Sequence, residues 1–267
     1  MPTAIFVDAD FFLQRFLRVY RDREKYAPEL VKNDPALVAR TLHEMALDHL
    51  TQPGEAERRD LYRIFVYDCP PLAKKAQYPI SGEPVDFSKD PMATFSVRFH
   101  QELTKLRKVV LRLGRLHDSG RWRDKNTYLD GEQLAAKCEE AFSDGDFEYD
   151  VSRKGVEMRI GLDIASVAYK KQADQIVLVG SEADFVPAAK LARREGIDFI
   201  LDPMWQTIPR DLNVHIDGVR SMCPKPPTMR EMAEQRRRMK ELAEKEKAPP
   251  PASPAPENQN GKVTRLY

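Results

Sequence analysis

The sequence predicts an α/β fold in which a mostly parallel central sheet lies between two layers of helices. Three observations predict it. Apolar runs of strand length, rich in β-branched residues, alternate along the chain with stretches of helical periodicity. Two of these runs, Ala4-Ile-Phe-Val7 and Ile176-Val-Leu-Val179, end on an acid or a glycine and pass into a helix entry. Strands that alternate with helices imply crossover units, and crossover units build parallel sheets.

Composition narrows the class further. At 267 residues and 42% hydrophobic content the chain has ample material for a core. The formal net charge of +1 hides 43 basic and 42 acidic residues, so only local clustering can speak about partners. The cysteines, Cys69, Cys138 and Cys223, are odd in number and far apart, which argues against a disulfide framework or a zinc site. No stretch approaches 18 apolar residues, and the start of the chain lacks a basic leader. The expectation is a cytoplasmic protein with no membrane segment.

Taken in order, Ala4–Val7 is a first buried strand ending on Asp8-Ala-Asp10. Phe11, Phe12, Leu13, Phe16, Leu17 and Tyr20 then recur at helical spacing. Asp10 fits helix capping, whereas Asp8, still at the strand tip, is the better candidate for chemistry. Asp34-Pro35 opens a second helix running to about Leu50. Its His43 and His49 read as surface or satisfied core groups. Leu61–Tyr67 is a second strand, again ending on an acid, Asp68. Residues 72–92 read as a loop or lid, followed by a helix from about Met92 to Lys105 and a strand from Val109 to Leu116. Residues 130–150 read as a short helix around Leu134 to Phe142 and an acidic surface loop, Asp144–Asp150. A helix from Ile160 to about Lys171 carries Asp163 in its first turns, flanked by Leu162 and Ile164. A carboxylate in such apolar company needs a cationic partner.

Ile176–Val179 is a strand, Gly180 a turn, and Asp184 a plausible N-cap for the helix that contains Pro187. Ile197–Leu201 follows as a last parallel strand, and Val214–Asp217 fits a short edge strand. Arg112, Arg115, Arg121, Arg123 and Lys125, with Trp122 among them, form the most basic region of the folded part. They are either solvated faces or a phosphate-tracking surface with one stacking aromatic. From residue 223 the character changes: a charged helix to about Lys247, then a Pro-rich tail, 248–267, that must be extended. Self-association, and a protein partner for the tail, stay open on the sequence.

Glu182 and Asp184 follow one strand and Asp8 another. Parallel strands put both tips at the carboxyl edge of the sheet, where open α/β sheets bind ligands. Acids gathered there repel one another unless a cation joins them. Oxygen donors without Cys or His suit Mg²⁺ or Mn²⁺, and such an ion suits phosphodiester cleavage. No GxGxxG follows the first strand, which argues against a dinucleotide enzyme.

Three blocks carry a resemblance. Ile5-Phe-Val-Asp8-Ala-Asp, Lys154-Gly-Val-Glu with Asp163, and Val179-Gly-Ser-Glu-Ala-Asp-Phe-Val-Pro187 resemble the signature blocks of NYN-domain proteins, PIN-like nucleases of the LabA-like branch. The strand ending Asp68-Cys-Pro-Pro is similar as well. The resemblance spans roughly residues 3–220. It implies a Rossmann-like, PIN-like α/β/α sandwich over residues 1–222, with 72–150 selecting the substrate, and metal-dependent cleavage of RNA. Position by position it implies Asp8, Asp163 and Asp184 as metal ligands, with Glu182 as ligand or base. Asp10 and Asp68, acids at the strand ends, are candidate accessory groups. Arg112, Arg115, Arg121, Trp122, Arg123, Lys125 and Lys154 would meet the RNA. The chain departs from the family at Glu182 and Glu157, which stand where Asp is usual. An RNA-binding or regulatory module without catalysis is the alternative.

Overall fold

The computed structural model describes residues 2–20, 34–51, 57–125 and 142–226, with a few positions between 228 and 237. The chain divides into two units, Met1–Pro226 and Pro227–Tyr267. In the second, Thr228 and Glu231 cap one another reciprocally, the backbone N–H of each donating to the other's side chain. The rest of the expected charged helix and the Pro-rich tail lie outside the described residues.

The first unit is built on six strands, all parallel: β1 (Pro2–Asp8), β2 (Asp60–Asp68), β5 (Val109–Leu113), β8 (Gln175–Val179), β9 (Asp198–Asp202) and β10 (Gly218–Val219). Their order across the sheet is β10-β9-β8-β1-β2-β5. Helices cover both faces, as the alternating pattern predicts, giving a three-layer Rossmann-like α/β/α sandwich. Side chains of β1 alternate between two cores. Ile5 and Val7 pack with α1 (Ala9–Val19), α2 (Pro35–Asp48) and α3 (Pro91–Lys105). Ala4 and Phe6 pack on the other face with α4 (Val156–Tyr169) and α5 (Val186–Arg194). Every residue of β8 is buried, which is why Ile176–Val179 is continuously apolar and the amide of Gln175 is hydrogen-bonded to Thr3 and Asp198. Among the described residues no helix is long and apolar enough to cross a membrane.

Sequence order reverses between β1 and β8. From β1 the chain builds outward through β2 to β5, then returns to lay β8 on the other side of β1. Such a switch point opens a crevice at the carboxyl ends of the strands. Val7 pairs with Val179 and Asp8 with Tyr67, so the tips of β1, β2 and β8 end level with one another.

Several expectations are corrected. The strand expected over Val109–Leu116 breaks at Gly114. There a Cβ would lie 2.9 Å from the Lys154 carbonyl and 3.1 Å from Cys69 Sγ, so only glycine lets these segments meet. Beyond it, β6 (Arg115–Asp124) pairs antiparallel with β7 (Phe147–Lys154). The acidic stretch is therefore largely strand rather than surface loop, because Phe147, Tyr149 and Val151 alternate along it with period two. Residues 72–92 hold a small hairpin, β3 (Lys75–Gln77) with β4 (Pro84–Asp86), and a turn of 3₁₀ helix. Helix α4 starts at Val156, four residues before expectation, which puts Asp163 at mid-helix. Val214–Asp217, expected as a short edge strand, is turn and bend after a short helix, α6 (Arg210–Asn213), and the edge strand β10 begins just beyond it at Gly218. The helix expected around Leu134 lies almost wholly outside the described residues.

Candidate functional site

At the tip of β1, Asp8 is 1% exposed and caps α1, accepting from the backbone N–H groups of Asp10 (3.1 Å) and Phe11 (3.4 Å). The capping role expected of Asp10 therefore belongs to Asp8, and Asp10 sits in the first turn. Burial pushes the Asp8 carboxyl above its ordinary range, and Arg153 partly offsets this.

Arg153, near the end of β7, is the organising cation. Its Nη2 lies 3.2 Å from Asp8 Oδ1 and 3.8 Å from Asp68 Oδ1, and its Nη1 lies 2.7 Å from Asp10 Oδ2. Burial alone would lower its affinity for a proton, but Asp8, Asp10 and Asp68 together raise it above the ordinary guanidinium range. Its Nε is buried without a hydrogen-bond partner among the described residues. Asp68, at the tip of β2, accepts from Cys69 N–H (2.7 Å), and its other oxygen meets His100 Nε2 of α3 at 2.8 Å.

The loop after β8 supplies the second group of acids. Gly180 is buried, and a Cβ there would lie 3.1 Å from the Phe185 ring, which folds back over it. Close approach, not an unusual φ, is what requires glycine. Ala183–Phe185 forms one turn of 3₁₀ helix with Glu182 at its N-cap, and α5 begins only at Val186. Asp184 is thus an exposed residue of that turn, not the cap of α5. The Glu182 carboxyl is pushed up by partial burial and by the negative charges of Asp8, Glu157 and Asp184, with Arg153 opposing. Glu182 therefore reports that four carboxylates share one field at the switch point.

Asp163 stands in different company. Its Oδ2 accepts from the Tyr67 hydroxyl at 2.7 Å and meets Arg112 Nε at 3.1 Å. This is the cationic partner that its apolar neighbours in sequence demanded. Burial and the Asp163 hydrogen bond both hold the Tyr67 phenol above its ordinary pKa. Among the described residues, no three His, Cys, Asp or Glu side chains stand together in an arrangement ready to hold a metal ion.

The expected basic surface divides. Arg115 and Lys154 are exposed and directly paired across β6 and β7, one strand residue from Arg153. Arg112 is exposed beyond its Asp163 contact. Arg123 is held by Glu148, and Lys125 donates to the Gly145 carbonyl. Arg121 is exposed farther along β6. Trp122 is not a free stacking platform. Its indole N–H donates to the Gln77 carbonyl (2.9 Å), and its ring packs among Tyr78, Phe87 and Tyr149. It fastens the β3–β4 hairpin to the β6–β7 ribbon. His43 and His49 are structural, as expected: His49 is fully buried against Asp202 at 2.8 Å.

Sequence reasoning missed Arg153 and His100, and gave Glu157 no role in the site. Period two along Phe147-x-Tyr-x-Val-x-Arg153 was the available signal, had the acidic stretch been read as a strand. Comparison of the chain with protein-family models, with curated proteins and with solved structures finds no match.

Proposed function

We propose that this chain is a divalent-metal-dependent ribonuclease acting at the crevice between β1 and β8. The observation that carries the reading is the field at Glu182. Asp8, Glu157 and Asp184 all raise its carboxyl, so the switch point collects negative charge and only partly neutralises it with Arg153. The donors there are all oxygen, which fits Mg²⁺ or Mn²⁺. Asp8, Glu182 and Asp184 would hold the ion, and Asp163 would have to release Arg112 to join them. When bound, such an ion polarises a phosphoryl group and lowers the pKa of a water.

The remaining roles belong to the protein. Glu182 is exposed beside the other acids, where it is placed to accept a proton from an attacking water. Asp8 is fixed by its two backbone donors, so its free oxygen is held in one direction. Arg153 carries positive charge beside the acids, where a phosphate would approach. Arg112, Arg115 and Lys154 would bind neighbouring phosphates of the RNA backbone. A cytoplasmic location belongs to the same proposal.

The resemblance of the three sequence blocks to NYN-domain nucleases supports this reading independently of the geometry. The test is incubation of the purified protein with a mixed RNA pool in Mg²⁺, in Mn²⁺ and in EDTA, with sequencing of the product ends. Asp184 is exposed and holds no helix cap, so Asp184→Asn should leave the fold intact and lower cleavage at least about a hundredfold. Equal degradation in EDTA would overturn the mechanism. A second reading, RNA binding without cleavage, is favoured by one observation: Arg153 already makes ion pairs with Asp8, Asp10 and Asp68. Retention of RNA with no cut ends at any divalent ion would establish it.

A further inference from the structure

We infer that the pocket between the tip of β2, the first turns of α3 and the strand β7 takes one unpaired nucleobase of an RNA strand lying across the acidic crevice. The inference rests on the ribonuclease reading of that crevice and adds which part of the substrate is gripped beside it. The pocket has a volume of about 300 Å³ and is lined by Leu72, Phe87, Asp90, Ser96, Tyr149 and Val151 among others.

Three elements lead from the pocket to Asp68. The chain that leaves β2 at Asp68 enters the pocket wall at Pro71 and Leu72. On α3, Ala93, Ser96 and His100 follow at steps of three and four, so they share one face of the helix. The first two line the pocket, and His100 Nε2 reaches Asp68 Oδ2 at 2.8 Å. On β7, Tyr149, Val151 and Arg153 share a face by period two. The first two line the pocket, and Arg153 Nη2 lies 3.8 Å from Asp68 Oδ1 and 3.2 Å from Asp8 Oδ1. The Cα atoms of Val151 and Arg153 are only about 6.7 Å apart on such a strand. A nucleotide whose phosphate sits beside Arg153 therefore has the pocket within reach of its base.

The chemistry of the lining selects the occupant. Phe87 and Tyr149 stand with ring centroids 4.9 Å apart, and both are only half-buried. Aromatic side chains grip unpaired bases by their faces, whereas a paired base is shielded within its own helix. Asp90 caps α3, accepting from Met92 N–H at 2.7 Å, and brings a negative charge into the wall. That charge turns away a phosphate and favours the uncharged end of a nucleotide, whose amino groups a carboxylate accepts. Ser96 adds a hydroxyl that can donate or accept. Cations stand on both sides of Val151 along the ribbon. Arg153 lies toward the crevice. Lys74 lies the other way, its Nζ 2.7 Å from the Tyr149 hydroxyl and 2.6 Å from Asp118, the residue paired with Val151. A strand laid along β7 thus meets cation, aromatic hollow and cation, the order in which RNA presents phosphate, base and phosphate.

Fluorescence anisotropy of the full chain in EDTA tests the inference without reading any cleavage. The probes are a labelled single-stranded RNA of mixed sequence and a sugar-phosphate strand of equal length without bases. The RNA should bind at least about tenfold more tightly, the weight of one stacked base. Ser96→Phe fills the pocket and should weaken RNA binding at least about fivefold while leaving the strand without bases unchanged. Phe87→Leu keeps an apolar wall and removes one ring, so it should act in the same direction, and it decides the matter if a thermal melt shows Ser96→Phe to be misfolded. Failure of the RNA to bind overturns the inference, and so do equal affinities for the two probes. Substitutions that weaken both probes alike, or neither, overturn it as well. Displacement of the RNA by a nucleoside monophosphate at matched concentration would assign the pocket to a free nucleotide and overturn it too. Base-dependent binding with no cut ends in any divalent ion overturns the nuclease reading alone. Metal-dependent cleavage by a protein that binds both probes equally overturns the pocket alone.

Discussion

Arg153 shows how one side chain can set the electrostatics of a site. Removing a cation from a group of partly buried carboxylates leaves them uncompensated, and a single broken partner of this kind is more damaging than its exposed equivalents. The guanidinium is 23% exposed and Asp8 only 1%, so the effect should be intermediate. Arg153→Met is expected to lower unfolding stability by roughly 1–3 kcal/mol. Added Mg²⁺ or Mn²⁺ should then stabilise the variant more than the parent, since the ion takes over the missing charge. Urea unfolding with and without the ion reads both effects, and a variant as stable as the parent would show that Arg153 is not the neutralising group. Cys223 gives a second prediction at this scale. Burial, with Asp202 nearby, pushes its thiol from 9.0 up to about 12. The unfolded chain releases that proton earlier, so stability is intact below pH 9 and is lost as pH climbs through this window. Between pH 8 and 10 the parent should lose ~1.4 kcal/mol more than Cys223→Ala, measured by urea unfolding at each pH. Equal losses would mean the thiol titrates normally. Individual acids at strand tips were legible in the sequence because a strand-to-helix turn shows in the apolar pattern. Their counter-cations were not, because Arg153 and Arg112 come from strands remote in sequence, and no local spacing links them to Asp8 or Asp163.

Among the elements, the junction of β5, β6 and α4 carries the site's geometry. Gly114 lets the chain pass within contact of Lys154, Val156 and Cys69, and so joins the sheet to the β6–β7 ribbon that delivers Arg153. A methyl group there would have to displace the Lys154 carbonyl and Val156 together. Gly114→Ala is therefore expected to cost about 1–3 kcal/mol and to shift Arg153 relative to Asp8. A denaturation midpoint equal to that of the parent would show that the junction can yield. Elements with unmixed patterns were readable: continuous apolar runs within β1 and β8, and the Asp-Pro entry for α2. The ribbon was not, because β7 lies on no core of the main sheet. Its aromatic face packs against Phe87 and Trp122 from segments with no periodicity of their own. The short turn around Asp184 was misread for a related reason. A good capping residue five positions after a strand predicts a helix start at Phe185, but that ring closes over Gly180, a turn of 3₁₀ helix intervenes, and the helix begins at Val186.

On the scale of the whole molecule, the parallel sandwich follows from alternation of strands and helices, and the two cores follow from period two along β1. What alternation cannot give is strand order, since βαβ units can be laid to either side. Strand order is what creates the crevice, because β8 returns to the open side of β1 after β2 and β5 have been added. That return has a consequence during synthesis. Thr3 of β1 must wait for Gln175 of β8, 172 residues later, before its second edge is paired. At ribosomal rates of 5–20 residues per second the interval is roughly 9–34 s. Throughout it β1, buried along almost its whole length in the finished sheet, has at least one free edge, and no acid from the β8 loop has yet been made. The nascent chain is thus at its stickiest and chemically inert over the same period, and the crevice closes only when the sheet no longer needs shielding.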